Sequence, residues 1–265
     1  MYAHHQETIQ RVTDYFQAQP QVQAVILGGS IAHGLAQPSS DVDVMIVVSD
    51  EEHQQRLANN NIQFVSTELA TYPEGYIDGK YVSPAFLAQV EQRGSEPARF
   101  AFADGHVLFS KLEDLAGQLR RIARYPVEHK VERIKRFHAQ LEAWYWYAGE
   151  GHRKRSHYLA AIGSSKLLLF GGRMLLAHNE LLYPYHKWFL AILERAPHKP
   201  EGIVEAIQAL GQQPTPENIT AFYNLIKDFR VWEADWKPGE TLWANHFMQD
   251  SELNWLAGPT PIEDL

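Results

Sequence analysis

The chain has 265 residues, 45% of them hydrophobic and 12% aromatic, enough to bury the core of one large domain or two modest ones. It contains no cysteine, which excludes a disulfide framework, a thiolate metal site and a cysteine nucleophile. A net charge of −8 argues against a general nucleic-acid surface, because phosphate contacts need clustered Lys and Arg, and suits a neutral or cationic small substrate.

The opening MYAHHQETIQRVTDYF lacks the basic and then apolar regions of an export signal, so a cytoplasmic protein is expected. No apolar run reads as long and charge-free enough to span a bilayer, and no membrane partner is expected. Residues 4–18 place Ile9, Val12, Tyr15 and Phe16 at helical spacing before Pro20. VQAVIL (22–27) and VDVMIVV (42–48) are β-branched and apolar and read as core strands, with further short strands at IQFVST, YIDGKYV and HVLFS. From about Leu112 the pattern turns helical, with prolines punctuating helices instead of strands. The expected fold class is α+β: a sheet-containing domain over residues 1–115, then an all-α helical bundle over 116–265. A cleft between two such domains is a usual place for a ligand.

The chemistry concentrates in AVILGGSIAHGLAQPSSDVDVMIVV, residues 24–48. On a strand, alternate side chains share a face, so Asp41 and Asp43 project together. Two carboxylates ~4 Å apart repel by roughly 1 kcal/mol in bulk water and by about 4 kcal/mol at an intermediate dielectric. A hard divalent cation removes that repulsion, and Mg²⁺ is typically held by one or two carboxylates plus substrate phosphate. Gly28 and Gly29 let the main chain turn and approach a ligand closely, and Ser30 adds a hydroxyl donor for phosphate oxygens. A plain capped turn with solvated aspartates competes with this reading. So does the G-x-S-x-G elbow of a serine hydrolase, although Gly34, Pro38 and Ser39 leave no room for the helix an elbow requires. Neither a Walker loop nor a dinucleotide fingerprint is present.

Gly29-Ser30, a glycine at 34, then Ser40-Asp41-Val42-Asp43-Val44 resembles the signature of the DNA polymerase beta-like nucleotidyltransferase superfamily. The order of domains is similar to that of the aminoglycoside nucleotidyltransferases. The resemblance implies a mixed-sheet nucleotidyltransferase domain and two Mg²⁺ ions on Asp41 and Asp43. It also implies a third carboxylate on a neighbouring strand that holds one ion or acts as base. Asp78 in EGYIDGKYVS is preferred for that place and Glu68 in VSTELA competes, while Asp78-Gly79 also reads as a hairpin pair. The implied reaction moves a nucleotide, AMP from ATP being expected, onto a hydroxyl of a small molecule such as an aminoglycoside-like antibiotic. By the same resemblance Lys187 reaches the nucleotide phosphates, with Pro184 beginning a helix that places Lys187 in its first turn.

Other features of the helical half read more plainly. Arg153-Lys154-Arg155 is a solvated basic run, and Trp144-Tyr145-Trp146-Tyr147, Trp232, Trp236, Trp243 and Trp255 read as packing aromatics. Glu142, Glu180 and Asp228 are acidic candidates for a cationic acceptor, with nothing in their spacing to choose between them. Arg173 and His178 have the spacing of HEPN-type ribonucleases, whose helical domains accompany small nucleotidyltransferases in toxin and antitoxin pairs; Met174 departs from that pattern. An inactive nucleotide-binding module is the other alternative. Sequence leaves the oligomeric state open.

Overall fold

The computed structural model describes residues 1–237, 240–251 and 253; Trp255 lies outside them. The chain forms two compact units, Met1–Arg124 and Tyr125–Leu265.

In the first unit, helix α1 (Ala3–Gln17) buries His5, Thr8, Val12 and Phe16, one face at helical spacing. Strands β1 (Ala24–Leu27), β2 (Val42–Val47), β3 (Gln63–Ser66), β4 (Ile77–Val82) and β5 (His106–Ser110) form a sheet in the order β3-β4-β2-β1-β5. β2 and β4 run parallel and the other neighbours antiparallel, so the sheet is mixed. The alternation of β2 decides its two faces. Val42, Val44 and Ile46 pack with Val12 and Phe16 of α1, whereas Met45 and Val47 join a second cluster. That cluster includes Leu87 and Val90 of α4 (Pro84–Arg93) and Leu115, Leu119 and Ile122 of α6 (Leu115–Ile122).

Helix starts follow capping chemistry. The Ser49 hydroxyl accepts from the Glu52 amide to open α3 (Asp50–Ala58), and Ser83 accepts from Phe86 to open α4. Ser95 does the same for the short α5 (Glu96–Phe100). Buried Arg99 donates to the carbonyls of Glu91, Gly94 and Ile122, which ties the end of α4 to the end of α6. This stitching explains why α6, helical like all that follows it, packs with the sheet unit.

The second unit is built on α7 (Lys130–Arg153) and α8 (His157–His178), which run antiparallel in close contact. A Cβ on Gly151 would lie 2.3 Å from the Ala160 nitrogen, and one on Gly163 2.7 Å from the Ala148 nitrogen. Around this pair α9 (Phe189–Arg195), α10 (Ile203–Gln212) and α11 (Pro216–Lys227) bury Phe189, Leu193, Ile207, Leu210, Phe222 and Ile226 against Leu141, Leu167 and Met174. A last helix, α12 (Trp243–Asp250), buries Phe247. By length and composition α8 is apolar enough to cross a membrane, contrary to the sequence expectation. Half of that stretch is buried inside the protein, as in a core helix, and its apolar run meets the demand of a helix packed on several sides.

Candidate active site

β1 ends at Leu27, and the Gly28 amide extends the ladder by donating to the Asp43 carbonyl at 3.0 Å. Gly29 then adopts φ +62 and begins α2, a single turn over Gly29–Ala32. A Cβ on Gly29 would fall 1.7 Å from Asp43 Oδ2 and 2.6 Å from Asp43 Cβ. Both the left-handed backbone and the space therefore demand glycine there. The two glycines differ: a Cβ on Gly28 would meet only the Ala101 carbonyl oxygen at 3.6 Å, an ordinary contact. Ser30 is buried, and among the described residues its hydroxyl has no hydrogen-bond partner. A buried hydroxyl left unpaired costs free energy, and a phosphate oxygen brought to the turn would relieve it.

Asp41 immediately precedes β2, Asp43 lies on it, and Asp78 sits directly beside Asp43 on β4 in the parallel register. Neighbouring strands are ~4.8 Å apart, so this register brings the carboxylates together. One oxygen from each of Asp41, Asp43 and Asp78 lies within 4.8 Å of the others. Asp78-Gly79 is part of a strand and not a hairpin turn, and glycine suits it by packing, since a Cβ on Gly79 would approach Ile46 Cδ1 to 2.9 Å and Phe64 Cβ to 3.0 Å. Glu68 is exposed in the turn after β3.

Several groups around the carboxylates have no signal in a linear motif. Lys80 Nζ donates to Asp78 Oδ2 at 3.0 Å, and Gln63 Nε2 lies 3.4 Å from Asp78 Oδ1. The Tyr76 hydroxyl donates to Asp41; that bond, followed by the carboxylate's charge, raises the hydroxyl above its ordinary value. Tyr72 donates to the Ser40 carbonyl at 2.5 Å and is also raised, first by burial and then by the Asp41 charge. The Thr71 hydroxyl donates to the His4 carbonyl at 3.0 Å and lies 2.9 Å from the Thr8 hydroxyl, which stitches this loop to α1. Strand alternation alone would have put Lys80 on the face of Asp78. The tyrosines could be found only once the loop was folded against residue 41.

In the second unit, Lys187 does not start a helix. Tyr185 takes φ +64, which an α-helix cannot accommodate, and α9 begins at Phe189. Lys187 lies in the preceding turn with Nζ 5.2 Å from the centre of the Trp188 ring, so the helix-start argument for a bound anion is lost. Arg173 stacks between the rings of Phe137 and Tyr183, 4.3 Å from each, and His178 Nδ1 lies 2.6 Å from Arg230 Nη1. Both of those residues thus have a packing or hydrogen-bonding role inside the helical unit. The acidic candidates for a cationic acceptor are also partnered: Glu142 accepts from Tyr223 at 2.9 Å, Glu180 pairs with Lys130 at 2.8 Å and Asp228 lies 3.8 Å from Lys227. Arg153 and Lys154 pair with Glu150, and Arg153 foremost holds that carboxyl at about 2. Tyr145 stacks on Tyr223 at 3.9 Å, within the helical packing.

Compared with known proteins, residues 10–114 match the family model of the polymerase beta nucleotidyltransferase domain. No curated protein matches the chain. Among solved structures, a nucleotidyltransferase-like protein from Exiguobacterium sibiricum is similar at 12% identity and a TM-score of 0.47, over 98% of this chain and 83% of that one. The family match spans the glycine turn and the strands that bear all three carboxylates and ends as α6 begins. Residues 10–114, the mixed-sheet unit, thus form a nucleotidyltransferase domain of the polymerase beta family, as the sequence resemblance implied.

Proposed function

We propose that the protein transfers a nucleotide, AMP from ATP in the first instance, to a hydroxyl of a small molecule, with Mg²⁺ held by Asp41, Asp43 and Asp78. The observation that carries the reading is the gathering of three carboxylate oxygens within 4.8 Å beside a glycine turn pressed against one of them. The donors suit the ion. They are hard carboxylate oxygens, the donor class Mg²⁺ takes, so Asp41, Asp43 and Asp78 would hold the ion together. When bound, Mg²⁺ supplies neutralisation of the phosphate charge and stabilises the attacking and leaving oxygens.

The chain's own groups have distinct tasks in this reading. The Ser30 hydroxyl, buried and unpartnered, donates to a phosphate oxygen. Asp78 accepts the proton of the acceptor hydroxyl as its oxygen bonds to the α-phosphorus, and pyrophosphate departs with the electron pair of the broken P–O bond. Tyr76, hydrogen-bonded to Asp41, holds that carboxylate in place. Lys187 is assigned to the nucleotide phosphates on the family resemblance alone. An aminoglycoside-like acceptor accords with the net charge of −8.

The test is a thermal-shift panel of the four nucleoside triphosphates with Mg²⁺, followed by an acceptor screen that reads pyrophosphate release. Stabilisation by ATP and Mg²⁺ together, lost in Asp41→Asn and Asp43→Asn, is the expected result. Those variants should melt at or above the wild-type temperature without metal, because each removes like-charge repulsion. Failure of every triphosphate to stabilise the protein overturns the reading.

A further inference from the structure

β4 carries a cation beside its own metal-site carboxylate. Asp78 and Lys80 are two residues apart on a strand, so their side chains leave the same face about 6.4–6.8 Å apart at Cα, and the long lysine spans the gap. Its Nζ sits 3.0 Å from Asp78 Oδ2. Gly79 between them faces the other way, where Ile46 and Phe64 leave no space for a side chain, so close packing fixes the face that the pair occupies. The Lys80 side chain is 52% exposed and that of Asp78 23%. An ion pair so open to water is weak, and its lysine is free to swing.

An ammonium and a divalent ion cannot share this carboxylate without loss, since they repel each other and draw on the charge of one carboxylate. We propose that Lys80 is a positioning residue, a resident counter-ion of Asp78 that a divalent metal ion must displace before Asp78 can join Asp41 and Asp43. The proposal rests on the metal reading of the three carboxylates. Displacement leaves an ammonium over β4, where an anionic group of an incoming substrate, a phosphate or a carboxylate, gives it a new partner. Without that group the ion pair re-forms and its ammonium again opposes a cation beside Asp78. Full occupancy of the site by metal is thereby coupled to an anionic substrate.

The experiment is a titration of the full chain with Mn²⁺ alone, reading free aquo-ion by electron paramagnetic resonance. It compares wild type, Lys80→Met, Lys80→Arg, Asp78→Asn and the Lys80→Met/Asp78→Asn double variant. Lys80→Met should bind Mn²⁺ roughly two- to fivefold tighter, the scale of losing one exposed ion pair, and Lys80→Arg should return to the wild-type affinity. The gain should vanish when Asp78 is already Asn. Unchanged or weaker binding by Lys80→Met overturns the proposal while leaving the metal site intact. An equal gain in the Asp78→Asn background also overturns it, since the effect would then be the general field of one charge fewer. If wild type, Lys80→Met and Lys80→Arg all fail to bind Mn²⁺, the metal reading itself falls and takes the proposal with it.

Discussion

Gly29 sets how closely the turn after β1 approaches Asp43. Its positive φ and the 1.7 Å clearance to Asp43 Oδ2 both forbid a side chain, whereas Gly28 has neither constraint. Gly29→Ala must strain the backbone by about 1–3 kcal/mol or rotate the Asp43 carboxylate out of the group. Its expected phenotype is a lowered unfolding midpoint together with loss of Mn²⁺ binding and transfer. Gly28→Ala should retain metal binding and stay within about 1 kcal/mol of wild type in urea unfolding. Equal effects at the two positions would show that the turn, and not its approach to Asp43, is what the glycines secure. In the sequence both glycines look alike; the difference lies in a side chain on the next strand, which no local pattern reveals.

At the scale of elements, the parts legible in the sequence are those with strong local periodicity. The strands carrying Asp43 and Asp78 announce themselves by β-branched alternation, and the Asp-x-Asp pair needs only that alternation to place its two side chains together. The contact of Asp78 with Asp43 depends on β4 pairing with β2 across a connection that contains α3 and β3, a long-range event. The start of α9 was misleading for a different reason. Pro184 favours a first helical position, but the left-handed Tyr185 one residue later cancels it. The assignment of Lys187 to the nucleotide is therefore best tested directly. Lys187→Met keeps the aliphatic stem over Trp188 and should raise the nucleotide KM roughly tenfold if a charge-assisted phosphate contact is lost. Unchanged kinetics would remove Lys187 from the site.

Helix α7 offers a stability test within two residues. Gly151 presses on the backbone of α8 near Ala160, while a Cβ on Gly149 would meet nothing within 4 Å. Gly151→Ala should destabilise by about 1–3 kcal/mol through overpacking against a backbone that cannot yield. Gly149→Ala should be neutral or stabilise by about 0.5–1 kcal/mol, the gain of alanine over glycine in a helix interior. Urea midpoints of the two variants check both signs, and destabilisation by both would mean that α7 is closed to side chains on either side.

For the whole molecule, buried His5 and half-buried His178, in different units, bias stability in the same direction with pH. His5 in α1 is pushed below 6.5 chiefly by burial and then by its neighbour His4, against the carbonyls of Ser40 and Pro38. His178 at the end of α8 is pushed down by burial, then by Arg230, Lys130 and His198, with Glu233 opposing. Between the lowered folded-state value and 6.5 the unfolded chain binds more protons than the folded one, so stability rises with pH in that window. It falls as pH drops below about 6.5, and the loss is complete once the solution is more acid than the folded-state value. The carboxylates held low by partners, among them Asp50, Asp235 and Glu150, act in a separate range: their stabilisation is present above the unfolded carboxylate value and is lost as pH falls below it. Scanning calorimetry from pH 5 to 7.5 therefore isolates the histidines, and the unfolding temperature should climb across that interval. His5→Phe, which keeps an aromatic ring against Tyr72, and His178→Gln, which keeps an acceptor for Arg230, should each flatten the slope. A slope identical to wild type in both variants would transfer the effect to other histidines and show that burial of these two rings carries no proton linkage.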